Sequence, residues 1–168
     1  MKENQEKKQP ITERIKTMED VIRELGAENP LVKEYQFWLN SPEECRSEYT
    51  GVFIQLKMLC EVLNEGDFPL SFSRYVYCPW IELFKDKNDI PAYYDQDHIF
   101  EIPKNISGVY FGGSAINGAY CGFAYAYPSY APSSTLATIG SRLCFKNRDL
   151  ALYAVKQFAE LWIKFYFM

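Results

Sequence analysis

The 168 residues suit one domain, long enough to bury a core without a metal ion or a disulfide to hold it. A net charge of −4 and a pI near 5.1 exclude a nucleic-acid binder that rests on overall basic charge. No run of eighteen apolar residues is present to cross a membrane, and the first ten residues have no apolar signal run, so an intracellular, cytoplasmic protein is expected.

Residues 1–10 are charged and featureless and are expected to form a disordered tail ahead of a single domain over 11–168. Thr17 opens a short helix with Asp20 at the third helical position, a capping-box pattern. Met18, Val21, Ile22 and Leu25 form its apolar stripe, and Gly26 marks its end. Asn29-Pro30 starts a second helix by N-cap plus N1 proline, with Leu31, Tyr35, Trp38 and Leu39 turned inward. Ser41-Pro42-Glu43-Glu44 combines the same signals with a glutamate and predicts a long helix over Pro42–Asn64. Its stripe is Tyr49, Val52, Phe53, Leu56, Leu59, Cys60 and Leu63. Gly51 within it costs about 1 kcal/mol against alanine, which a tight helix crossing would explain.

From Ser71 the pattern turns to β. Arg74–Phe84 is rich in aromatic and β-branched residues, and Pro79 puts it at an edge or a bulge. Asp86–Asp89 reads as a turn and Ile90–Lys104 as loop. Gly108–Gly112 and Ala119–Tyr127 read as strands, with Pro128–Ser134 as a turn. Ala137–Lys146 alternates, with Ala137, Ile139, Leu143 and Phe145 on one side and Thr138, Arg142 and Lys146 on the other. At Asn147 the period becomes helical, and Ala151, Ala154, Val155, Phe158, Leu161, Trp162 and Phe165 form one stripe through Phe167. Asn147 is the expected N-cap, with Asp149 in the first turn. The predicted fold is α+β: N-terminal helices, an antiparallel sheet of about three to five strands, and a long C-terminal helix on one face.

Several phrases together resemble one family. They are Ile15-Lys16-Thr17-Met18-Glu19-Asp20, Leu63-Asn64-Glu65-Gly66, Tyr75-Val76-Tyr77-Cys78-Pro79-Trp80, and Gly140-Ser141-Arg142-Leu143-Cys144-Phe145-Lys146 leading into the last helix. The chain from Ile15 to Phe167 is similar to small uncharacterised proteins encoded in phages and prophages of gut anaerobic bacteria. The resemblance implies a phage context within a bacterial host cell, and no chemistry.

Candidate chemistry is sparse. His98, within Asp95-Gln96-Asp97-His98, has the composition of a general base or a metal ligand set, but the polar-loop reading outweighs it. Five cysteines (Cys45, Cys60, Cys78, Cys121, Cys144) lack zinc-site spacing and read as reduced apolar residues. Gly112-Gly113-Ser114 and Gly118 follow a strand and precede another, so they read as a hairpin loop rather than a phosphate cradle. No catalytic residue, metal or cofactor is therefore expected.

The aromatic residues stand out, at 17% of the chain with 13 tyrosines. Tyr75, Tyr77, Tyr110, Tyr120, Tyr125 and Tyr127 fall in predicted strands, with Tyr93, Tyr94 and Tyr130 beside them. Packing alone favours tyrosine in sheets. The functional expectation is an aromatic sheet face of Tyr75, Tyr77, Tyr110, Tyr125 and Tyr127, joined by Arg142 and Lys146. Its expected partner is another protein or a second copy of the chain. Single-stranded nucleic acid stacked on the same tyrosines is the alternative, disfavoured by the acidic total, and a virion component is a third reading.

Overall fold

The computed structural model describes residues 9–67, 76–84, 86–92, 99–101, 110–111, 114–115, 120–124 and 143–167; at 80–83, 110–111, 114–115 and 120–124 it describes the backbone. Six α-helices dominate the described residues: α1 (Ile11–Arg14), α2 (Met18–Leu25), α3 (Pro30–Asn40), α4 (Glu48–Leu63), α5 (Arg148–Gln157) and α6 (Ala159–Phe167). Four start where a side chain satisfies an otherwise orphaned backbone N–H: α2, α3, α4 and α5. Thr17 accepts from Asp20 N while Asp20 accepts from Thr17 N, a complete capping box. Asn29 accepts from Leu31 N at 2.8 Å, with Pro30 in the first turn. Asn147 accepts from Leu150 N at 2.9 Å.

The Ser41 signal does not start the long helix. Ser41 closes α3 instead, its N–H bonded to Trp38 O and its Oγ donating to Phe37 O. Glu43–Cys45 makes one 3-10 turn, and α4 begins at Glu48 on a Ser47 cap. A tertiary contact sets that boundary: the Trp38 indole N–H donates to Ser47 O at 2.9 Å and holds the cap residue against α3.

The core lies between the two ends of the chain. Helix α4 is buried nearly all round, through Gly51, Val52, Ile54, Leu56, Met58, Leu59, Cys60, Val62 and Leu63, as expected of a central helix. Helices α2 and α3 pack on it from one end of the sequence and α6 from the other. The α3 crossing is close: a Cβ on Gly51 would stand 2.4 Å from Trp38 Cζ2, so the ring occupies the space a side chain would need. One cluster runs from Ile11 and Val21 through Leu56, Leu59 and Leu63 to Leu143, Phe145, Trp162 and Phe165. Tyr153 Oη donates to Ile15 O and Gln157 Nε2 to Lys16 O, tying α5 to the link between α1 and α2.

The expected α+β architecture is corrected. The described fold is mainly helical, with helices packed on helices rather than laid over an antiparallel sheet. Among the described residues the β strands form short backbone ladders: β1 (Trp80–Phe84) and β2 (Ile99–Glu101) flank β5 (Tyr120–Ala124), and β3 (Tyr110–Phe111) pairs with β4 (Ser114–Ala115). The extensive strand contacts are with other strands. The predicted last strand, Ala137–Lys146, lies mostly outside the described residues. Its described end makes a single antiparallel bridge, Tyr77 to Phe145. Leu143 and Phe145, on its expected apolar side, are fully buried, as is Cys144; of its expected polar side, Lys146 is half-buried and Thr138 and Arg142 lie outside the described residues. The single C-terminal helix is also corrected. Phe158, at φ −122° and ψ 36°, breaks it into α5 and α6. Helical spacing persists across the break because the Phe158 N–H still bonds Ala154 O and its carbonyl accepts from Trp162 N, which keeps one apolar stripe. Of the predicted tail, Gln9 and Pro10 are described.

Candidate functional site

The break between α5 and α6 opens a groove of about 650 Å3 against the start of α4 and the end of α3. That volume lies within the range of ligand and peptide sites. Val52, Trp38, Phe100, Phe158 and Leu161 give it apolar walls, and Glu48, Gln55, Lys156, Glu160 and Lys164 give it polar ones. The caps decide which residues meet there. Ser47 starts α4 so that Glu48 and Val52 share its first turns, and the Phe158 turn sends Lys156 and Glu160 toward the same opening. Lys164 Nζ pairs with Glu48 at 3.3 Å and bridges α6 to α4 along this edge.

Aromatic contacts flank the groove. Tyr49 stacks on Phe53 and on Phe165, with ring centroids 6.4 and 5.6 Å apart. Tyr35 stacks on Trp38 at 5.7 Å, and the Arg46 guanidinium lies 5.9 Å from the Trp38 ring. Three large apolar side chains beside groove residues in sequence remain open to water: Phe37 (78% exposed), Tyr49 (47%) and Leu39 (38%). Such a surface, mixed in charge and with uncovered rings, is suited to holding a chain segment of both apolar and charged character.

The residues singled out in the sequence are not gathered in this groove. Tyr75, Tyr125, Tyr127 and Arg142 lie outside the described residues, as do Tyr93, Tyr94, Tyr130, Asp95, Asp97, His98 and the glycines at 112, 113 and 118. Tyr110 is in β3, its backbone opposite Ala115, and Tyr120 is in β5. Tyr77 forms the bridge to Phe145 and is half-buried against the main core. Lys146 is engaged within the chain: its Nζ pairs with Glu65 at 2.6 Å and donates to Asn64 O at 3.3 Å.

Asn64, which composition and periodicity do not flag, organises that corner. It is fully buried, donates from Nδ2 to Cys144 O at 2.9 Å, and accepts from Lys146 N at 2.8 Å. The end of α4 is thereby fixed to the stretch entering α5. The groove residues also escaped the sequence reading, although a signal was there. Lys156, Glu160 and Lys164 recur every four residues beside the apolar stripe, a spacing that sets charges in a row along a helical face.

Among the described residues, no group of three or more histidine, cysteine or acidic side chains is placed to hold a metal ion, and no helix is long and apolar enough to cross a membrane. Compared with protein-family models, curated proteins and solved structures, the chain matches none.

Proposed function

We propose that this chain is a non-enzymatic binding protein that takes a segment of another protein into the groove between α4 and the α5–α6 break. The observation that carries the reading is the groove's mixed lining: apolar walls from Trp38, Val52 and Leu161, and charges of both signs from Glu48, Lys156, Glu160 and Lys164. A peptide is the polymer that answers both features at once. The resemblance to small phage- and prophage-encoded proteins supports an accessory role in an infected or lysogenic cell.

This reading moves the contact surface from the expected sheet face to a helical one. A protein occupant is preferred to single-stranded nucleic acid because Glu48 and Glu160 stand among the groove's lysines and would repel a phosphate backbone.

The test is affinity selection of peptides from host and phage proteomes on the immobilised full chain, repeated with Lys156→Glu/Lys164→Glu. The double reversal should weaken the selected peptides at least about tenfold, a loss of roughly 1.4 kcal/mol, while the melting temperature moves by no more than about 2 °C. Equal retention by the variant would remove the groove from the account.

A further inference from the structure

A second feature lies away from the groove, where the stretch after β-bridge residue Tyr77 meets the one before Phe145. The bridge is a mutually hydrogen-bonded pair: Tyr77 N donates to Phe145 O at 2.9 Å and Phe145 N to Tyr77 O at 2.8 Å. In an antiparallel ladder the next pair inward is non-hydrogen-bonded, with Cα atoms about 4.5 Å apart. The Tyr77–Phe145 bridge is isolated, and continuing its antiparallel register by one residue sets Cys78 across from Cys144. A disulfide needs Cα atoms about 4.4–6.8 Å apart and Cβ atoms facing one another, and a non-hydrogen-bonded pair meets both conditions. The side chains do meet: Cys144 and Cys78 pack together beside Val76.

We propose that Cys78 and Cys144 are a dithiol site that a low-molecular-weight disulfide oxidises to an intramolecular cross-strand disulfide.

The two thiols are unequal in the way such a reaction needs. Cys78 is partly buried and retains some contact with solvent, whereas Cys144 is fully buried. The Cys144 thiol donates to Cys78 and lowers the Cys78 pKa, while the same hydrogen bond, with burial, raises that of Cys144. Cys78 is therefore the attacking thiolate and Cys144 the resolving thiol. In the first step the Cys78 sulfur attacks one sulfur of the external disulfide, forming a mixed disulfide and releasing one small thiolate. In the second, the Cys144 sulfur attacks the Cys78 sulfur, the mixed bond breaks, and the second small thiolate leaves. The protons of Cys78 and Cys144 end on the two released thiols. The protein loses two protons and two electrons, and the small disulfide takes up both to become two thiols.

Cys60 is close enough to feel the charge of Cys78, but it sits on α4, away from the ladder, and its burial raises its pKa well above the ordinary value. Among the cysteines whose side chains are described, it is the internal rival. The exposed Cys45 reports that the reagent has reached the protein.

The experiment incubates the folded full chain with oxidised glutathione and maps its disulfides by non-reducing peptide mass spectrometry. The expected product is a peptide pair joined through Cys78 and Cys144, reversed by dithiothreitol, with a melting temperature raised by on the order of 5 °C. Cys144→Ser should stop the reaction at glutathione held on Cys78, and Cys78→Ser should leave Cys144 reduced. The wild-type map stands even if a variant fails to fold. A map with glutathione on Cys45 but Cys78 and Cys144 unjoined overturns the proposal. So does a bridge from Cys78 to Cys60, or one that lowers the melting temperature.

Discussion

Helix α4 and the short ladder around β5 are opposite ways of making structure. The helix carries most of its instructions nearby: a serine cap at Ser47, apolar residues over most of its surface, and a neighbour just before it in the chain, Trp38, that fixes the cap and fills the space at Gly51. The ladder has little of its own. Gly122 and Cys121 of β5 are paired with β1 on one side and β2 on the other, so each strand's place depends on residues about 20 to 40 positions away. The helical part can thus be probed by single substitutions with expected sizes, and the comparison sharpens when those substitutions leave the ladder unchanged.

The largest effect should come from Trp162→Ala. Trp162 is fully buried, in edge contact with Phe145 and Phe165, and truncation should cost about 3–5 kcal/mol by chemical denaturation. Its indole Nε1 has no hydrogen-bond partner among the described residues, so Trp162→Phe should cost far less than its lost volume suggests. Asn64→Leu comes next. It leaves Cys144 O and Lys146 N without their side-chain partner, at about 2–3 kcal/mol. If that variant melts without loss, the corner joining α4 to α5 does not hold the two ends together.

Gly51→Ala is the most diagnostic of the smaller changes. Helix propensity alone favours it by about 1 kcal/mol. The Trp38 ring, bonded to Ser47 O and stacked on Tyr35, must move to admit the methyl, so a net loss of roughly 1–2 kcal/mol is expected. Asn147→Ala should cost about 1 kcal/mol through loss of the α5 cap.

The smallest effect is on pH. Backbone hydrogen bonds, first from Lys16 N and then from Thr17 N, hold the exposed Asp20 carboxyl below its usual 3.8. A lowered folded-state pKa stabilises above the unfolded value, and the contribution is lost as pH falls through the folded one. Fraying of α2, followed by amide exchange at Thr17 and Asp20, should therefore begin below about pH 4. Exchange that does not change with pH would show that the capping box does not hold α2.

What was legible in the sequence was local. Thr17, Asn29 and Asn147 cap their helices from within three residues, and a reader of the chain sees all of each interaction at once. Ser41 carried an equally good signal, but a contact from Trp38 moved the helix start to Glu48. The break at Phe158 left no trace because the apolar spacing runs through it unchanged. The hold that Asn64 takes on the Cys144 carbonyl could not be read either, because its two residues stand 80 positions apart. The groove was invisible for the same reason: its charges sit on α4, α5 and α6, and only folding brings Glu48 to Lys164.

Tyr153 and Gln157 grip the backbone of Ile15 and Lys16 across nearly the whole length of the chain. During synthesis, the earliest helices must therefore wait, with part of their oily side uncovered, until the ribosome has delivered partners made well over a hundred residues later. A nascent polypeptide of this design has to finish folding late, and a chaperone that shields α2 and α4 in the interval would raise its yield.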